Sequence, residues 1–363
     1  MIKKTFHFVF VSLLAISCGT SDGVHTIAEL DSEYDKTIGS VDAEKQGGTK
    51  LAISPYIIGF YNVENLFDTY DDPATEDEWF LPTSETQWDD AKYQKKLKDL
   101  ASVIDALNPA EGGPDIMGLC EVENQLVVEE LVAQKSLIAN KYKVIHYESP
   151  DTRGIDVAAI YDGEKFELME SRSIQVDMPE DPAVKTRDIL YCKFTVMDSQ
   201  DIVYFYVNHW SSRRNGEDAS FFKRKNCAST LLNDIKTNIP NWESEKIIIV
   251  GDMNDYPNNK SVYEVLGAKE MESKSPLLNM QYQNHEMGLG TYNYKGEWGC
   301  LDNVIITQSV KEQLITKEAQ IYQEDWVLFK PGTSSETPNK TYGGAKYYGG
   351  ISDHLPVWFK VEL

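Results

Sequence analysis

Ile247-Ile248-Ile249-Val250-Gly251-Asp252-Met253-Asn254-Asp255 is an apolar run that meets carboxylates and a carboxamide as soon as it ends. Four consecutive branched residues suit a strand buried on both faces. The Asp-Met-Asn-Asp after them is, taken alone, a common turn composition. Working outward, the same pattern recurs. Residues 56–61 run into Asn62-Val63-Glu64-Asn65-Leu66-Phe67, residues 116–119 into Cys120-Glu121, and Phe205-Tyr206-Val207 into Asn208-His209-Trp210. Leu301-Asp302-Asn303 opens the run 304–307, and Ser352-Asp353-His354-Leu355-Pro356 opens 357–361. Residues 157–161, 189–196 and 202–207 add further β-branched or aromatic runs. Between these, Tyr93, Leu97, Leu100, Ile104 and Leu107 step by 4, 3, 4 and 3 after Asp89-Asp90, which predicts a capped amphipathic helix. Phe221, Ala228, Leu231, Leu232 and Ile235 predict a second helix after Asp218. Strand and helix alternate, so sheet packed with helices in one domain is expected. Polar groups at strand ends and loops are how such a fold presents a metal-phosphate site.

The chain has 363 residues, 41% of them hydrophobic, which is ample for a core. Its net charge of −23 disfavours tight, sequence-blind binding to a polyanion through a basic surface. Nucleic acid is not excluded, because divalent cations and a few local arginines can carry the phosphate contact. Met1-Ile2-Lys3-Lys4 and the apolar stretch 8–16 read as a secretory signal, residues 1–17. Leu14-Ala15-Ile16-Ser17-Cys18 resembles a bacterial lipobox with Cys18 lipidated; the alternative is ordinary cleavage with Cys18 a bystander. The apolar stretch is too short to span a bilayer. An exported lipoprotein facing the periplasm or cell surface is expected, with membrane contact through the lipid only and a monomeric domain. Residues 18–54 are polar and acidic and read as a disordered tether, leaving 55–363 as the catalytic domain. Cys120, Cys192, Cys227 and Cys300 could pair in one of 3 connectivities, although their apolar contexts favour free thiols. Two long loops, 69–88 and 330–350, adjoin the first and last motifs and read as substrate walls.

The ordered set of motifs resembles the endonuclease/exonuclease/phosphatase superfamily, that of pancreatic deoxyribonuclease and the abasic-site exonucleases, over residues 55–363. The resemblance implies an α/β, four-layered sandwich: two mixed β-sheets face to face, helices outside, the site at one edge. It also implies a phosphoester hydrolase. Such a site must hold a hard cation on the phosphate oxygens, orient water in line and protonate the leaving oxygen. Mg²⁺ (or Mn²⁺) is expected on Glu121, on Asn62 through its amide oxygen, and on Asp353. His209 and His354 are implied to flank the scissile phosphate, with Asp302 orienting His354 and Asp156 the candidate partner of His209. Asp252 is implied to orient or deprotonate the water and Asn254 to hold a phosphate oxygen; whether Asp252 or His354 is the base stays open. Arg187 matches the family's phosphate-contacting arginine, and Arg153, Asn208, Arg213 and Arg214 are further substrate candidates. Leu301 stands where many members have Arg, and Asn303 where Arg or Tyr is frequent, which leaves the substrate open. A nuclease is the leading expectation. The alternatives are a phosphatase or phospholipase C-type enzyme on inositol phosphates or sphingomyelin, and a non-catalytic surface binding protein.

Overall fold

The computed structural model describes residues 55–363 except 215, 331 and 333–335. The expected signal, Cys18 and the tether lie outside the described residues. In chain order, β1 (Tyr56–Leu66), β2 (Ile116–Val122), β3 (Lys143–His146) and β4 (Asp156–Tyr161) begin one sheet. The other sheet takes β5 (Phe166–Ile174), β6 (Ile189–Val196), β7 (Ile202–His209), β8 (Lys246–Asp252), β9 (Ala268–Lys269) and β10 (Leu277–Asn279). After the small hairpin of β11 (Tyr292–Tyr294) and β12 (Glu297–Gly299), β13 (Asp302–Thr307) completes it. β14 (Gln320–Ile321) returns to the first sheet. Two short hairpins follow, β15 and β16 (Leu328–Phe329 with Thr337–Pro338) and β17 and β18 (Tyr342–Gly343 with Lys346–Tyr347), before β19 (Val357–Val361). The sheet orders are β14-β19-β1-β2-β4-β3 and β5-β6-β7-β8-β13-β10-β9.

Alternation along the central strands builds the layers. Ile248 and Val250 join Phe60, Phe205 and Phe359 in the core between the sheets. Ile247 and Ile249 face outward and pack with Leu231 and Ile235 of helix α3 (Glu217–Asn238). On the opposite outer face, Leu97, Leu100 and Ile104 of helix α1 (Asp90–Ala106) and Val127, Val128 and Leu131 of α2 (Gln125–Val132) cover Met117, Leu119 and Ile160. The expected four-layered sandwich is observed. Both faces of each central strand are buried, hence the near-continuous apolar runs. The sheets approach closely where Gly118 faces them: a Cβ there would stand 2.8 Å from Val250 and 3.0 Å from Val207.

Asp89 caps α1 as the sequence predicts, accepting from Lys92 N at 3.0 Å, and Asn124 caps α2, accepting from Val127 N at 3.0 Å; the helix expected after Asp218 starts at Glu217, preceded by Gly216 and without a side-chain cap. Cys120, Cys192, Cys227 and Cys300 are free and buried. Among the described residues, no helix is long and apolar enough to cross a membrane.

Two crossovers set up the site. The unit β1–α1–β2 makes β1 and β2 parallel, and β7–α3–β8 does the same in the second sheet. Both parallel pairs lie in mid-sheet, and their C-terminal ends share one edge of the sandwich.

Candidate active site

Register places the acid/base groups side by side. His209 on β7 pairs with Asp252 on β8, and Asp252 pairs in turn with Asp302 on β13. In the other sheet, Asn62 pairs with Cys120, after which the β1–β2 register shifts before resuming at Leu66 and Val122. A second shift on the β4 side leaves Glu121 unpaired between Cys120 and Val122. Such irregularities re-aim a side chain next to a site. Glu64, Asn65, Glu121 and Asn254 all adopt left-handed backbone, with φ of 50°, 50°, 62° and 48°. For residues other than glycine this costs on the order of 1–3 kcal/mol each and collects where function over-determines the backbone.

The carboxylate of Asp252 lies between the two imidazoles, its Oδ2 3.7 Å from His209 Nε2 and 3.8 Å from His354 Nε2. Asn254 N donates to Asp252 Oδ1 at 2.8 Å. Burial pushes the Asp252 carboxyl up to about 7, with His354 opposing and the Asp302 charge adding. His354 Nδ1 contacts Asp302 Oδ2 at 2.7 Å. Burial disfavours charging His354, yet the Asp302 carboxylate, helped by Asp252 and Asp353, holds it well above the usual imidazole range. His209 moves the other way. Burial, with Arg187, Arg153 and His354 adding, holds it well below that range. Two imidazoles driven apart at neutral pH are suited to different proton roles.

Glu121 and Asp353 line the same cavity, of about 630 Å³. Glu121 accepts from Asn65 N at 3.0 Å and lies 3.8 Å from His209 Nε2. Burial raises the Asp353 carboxyl, His354 opposes, and the Glu121 charge adds. Crowded carboxylates that repel each other in a buried site fit a hard divalent cation, which would relieve that repulsion. Asp252, Asp302 and His354 also lie close enough to suggest an ion, but His354 Nδ1 is already held by Asp302, so we read them as the acid/base group.

Five expectations are corrected. Asp156 does not orient His209: it contacts His146 Nε2 at 3.2 Å and accepts from Ser149 N at 2.9 Å. His209 Nδ1 is buried without a hydrogen-bond partner. Asn62 turns its amide nitrogen to Asp252 (3.1 Å) and Glu121 (3.4 Å), while its oxygen accepts from Glu64 N, so it steadies the carboxylates rather than offering a metal-facing oxygen. Asn208 is fully buried, donating to Val250 O and accepting from Trp210 Nε1, so it is not a substrate contact. Arg187 reaches the cavity, but three of its five N–H groups are given to His209 O, Trp210 O and Asp151, at 2.9 Å for the last, which ties it to the strand end. Arg153, Arg213, Arg214 and Asn254 do line the cavity. The described residues of the loops 69–88 and 330–350 do not; Trp79, Thr341 and Tyr342 from them wall, with Glu64, a separate cavity of about 230 Å³.

Three groups escaped the sequence reading. Lys96 on α1 is buried and donates to Thr341 Oγ1 at 2.8 Å and Ile351 O at 2.9 Å, tying down the segment that delivers Asp353 and His354. Its i+3 position from Tyr93 on the apolar stripe was the available signal. Asp255 bridges Arg213 and Arg224, and Tyr292 sets its ring 4.9 Å from that of His354 at a tilt of 35°.

Glu123, just past β2, accepts from Asp68 N at 2.6 Å. Burial, and then the charges of Asp68, Asp77 and Asp72 against that backbone bond, push it up to about 8. A carboxyl raised from 4.5 to about 8 stabilises the fold while protonated and loses that stability as pH rises through this window. Glu123→Gln, which can still accept from Asp68 N, is therefore expected to raise the melting temperature at pH 8 and to change little at pH 4. Thermal melts at the two pH values check this.

A model of the endonuclease/exonuclease/phosphatase family matches residues 57–363. The chain belongs to that family of phosphoester hydrolases. Among solved structures it is similar to an endonuclease/exonuclease/phosphatase from Bacteroides vulgatus (17% identity, TM-score 0.52, 86% of this chain and 100% of that one). It is also similar to D. rerio TDP2 complexed with single-strand DNA product (17%, 0.51, 86% and 100%) and to a Bacteroides thetaiotaomicron mannosyl-6-phosphatase (15%, 0.50, 85% and 100%). At these identities the likeness shows the fold. No curated protein matches the chain in sequence.

Proposed function

We propose that this protein is a Mg²⁺-dependent hydrolase of phosphate esters (Mn²⁺ substituting), with nucleic acid the leading substrate. The observation that supports it best is Asp252 between two imidazoles of opposite bias, 3.7 and 3.8 Å away. Glu121 and Asp353 would hold the ion, which supplies charge neutralisation on the phosphate oxygens. Asp252 takes the proton of the attacking water, oriented by the Asn254 N–H on its other oxygen. His354, kept protonated by Asp302, donates to the departing oxygen. Neutral His209 presents a hydrogen bond to the phosphate, and Asn254, with one amide hydrogen on Trp210 O, offers the other. A phosphomonoesterase on a sugar or polyol phosphate is the second reading. It is supported by the similar mannosyl-6-phosphatase and by the net charge of −23.

The test is turnover of DNA, RNA, inositol phosphates, sugar phosphates and sphingomyelin, with and without Mg²⁺. Nucleic acid is expected to be cleaved; turnover of sugar or inositol monoesters alone would favour the second reading, and no turnover of any would reject both. Glu121→Gln is expected to raise the Mg²⁺ concentration needed for half-maximal rate, or to abolish turnover, without lowering the melting temperature. Wild-type rates at limiting Mg²⁺ would show that Glu121 is not a ligand.

A further inference from the structure

The 35 basic residues of the chain comprise 29 lysines and six arginines. Four of the six, Arg153, Arg187, Arg213 and Arg214, line the catalytic cavity, and no lysine does. A fifth, Arg224, is fully buried behind Arg213 and shares Asp255 with it, at 2.8 and 3.0 Å. Only Arg172 stands elsewhere, paired with Asp234 at 2.9 Å. A cavity needing only diffuse positive charge would draw on the commoner lysine. Guanidinium offers a planar fork that takes two oxygens of one phosphate.

These arginines divide by what their donors already hold. Arg187 is occupied by His209 O, Trp210 O and Asp151. Arg213 is occupied by Asn254 O, Asn259, Glu217 and Asp255. Arg153 is half-exposed and engages Asp151 through Nε alone, at 3.3 Å, so its two terminal nitrogens have no partner among the described residues. Arg214 is exposed and makes no ion pair among the described residues. The floor of the cavity already supplies His209, His354, Asn254 and the carboxylates for one phosphate. Arg153 and Arg214 exceed what one phosphate requires.

We infer that the cavity takes a phosphate ester carrying a second phosphoryl group, which Arg153 and Arg214 bind at the rim while the scissile group lies on the floor. This rests on the phosphoester-hydrolase reading above. About 630 Å³ is room for a ligand well beyond a single phosphate. Tyr292 and the exposed Tyr294 place flat apolar faces along the cavity for the part of the substrate joining the two groups. The second phosphate can be the neighbouring one of an oligonucleotide or another on a polyol ring.

Two substrate pairs separate these sources in Mg²⁺: a dinucleotide with and without a terminal phosphate, and an inositol bisphosphate beside its monophosphate. The wild type is expected to prefer the member with two phosphoryl groups in one pair by about tenfold or more in kcat/KM, the worth of one charge-assisted contact. The pair that shows the preference identifies the source. In Arg153→Gln/Arg214→Gln, with an unchanged melting temperature, that ratio is expected to collapse towards one, and Lys at both positions should restore it in part. No preference in the wild type, or a ratio unchanged in the double variant, overturns the inference. If no ester is turned over, calorimetry of inorganic pyrophosphate against orthophosphate on metal-stripped protein decides separately. An arginine-dependent preference for pyrophosphate would keep the second-phosphate site while the hydrolase reading falls; its absence would remove both.

Discussion

Asp252→Asn is expected to lower turnover by about 10²–10⁴-fold, the range of a positioned acid/base group, without lowering the melting temperature in metal-free buffer. The two effects part company for a physical reason. Asp252 is buried beside Asp302 and Glu121, and its carboxyl is pushed up to about 7, so its ionised form is disfavoured in the folded state. The amide keeps the shape and removes that cost. It also removes the one carboxylate among the described residues that lies within 4 Å of both imidazoles. The pH dependence follows with a definite sign. As a base, Asp252 must be ionised, so kcat should rise with pH on the acid side and this limb should vanish in the variant; a bound divalent ion moves the limb below the metal-free value. Initial rates across pH, beside melts of both proteins, make the comparison. A variant that kept near wild-type turnover would remove Asp252 from the chemistry.

His354→Ala should lose about as much, 10²–10⁴-fold, and Asp302→Asn should reveal why. The Asp302 carboxylate, 2.7 Å from Nδ1, is what keeps His354 protonated above the usual imidazole range. A general acid works only while protonated, so the wild-type rate should persist to high pH. Replacing the anion with an amide lets the imidazole fall towards its ordinary value, and the alkaline loss of rate should move to lower pH. His209→Ala is also expected to lower turnover, and the double histidine variant should lose less than the product of the single losses, because the groups act together. An unmoved alkaline limb in Asp302→Asn would separate Asp302 from His354 function.

The strands that carry the site were legible because both their faces are buried. Residues 189–196 and 357–361 read from sequence coincide with β6 and β19, and the polar residues ending β2, β7 and β8 converge as expected. β5 was missed: Phe166–Ile174 is an edge strand with only Phe166 buried, so Glu167, Glu170 and Arg172 blur its alternation. β3 is another edge and only four residues long. Within the site, identities were more legible than roles. Asn208 and Arg187 lie where the motifs imply, but Asn208 donates to Val250 O and Arg187 to Trp210 O and Asp151, contacts 23 to 42 residues away that no local pattern announces. Asp156 opens β4, yet β3, unseen in the sequence, brings His146 to it first. Lys96 reads as solvent-facing because lysine usually is; only the return of the chain at Thr341 and Ile351 makes its burial affordable.

Metal-dependent hydrolysis of a phosphate ester directed by Asp252 stands or falls on a single titration. Metal-stripped wild-type protein and Asp252→Asn are given the best substrate of the panel, and initial rate is followed as Mg²⁺ is added and then chelated. No turnover is expected before metal, then a saturable rise with Mg²⁺ that is about 10²–10⁴-fold smaller in Asp252→Asn, and a return to zero in excess EDTA. Undiminished hydrolysis in EDTA, or equal rates for the two proteins at saturating Mg²⁺, would contradict metal-dependent hydrolysis directed by Asp252.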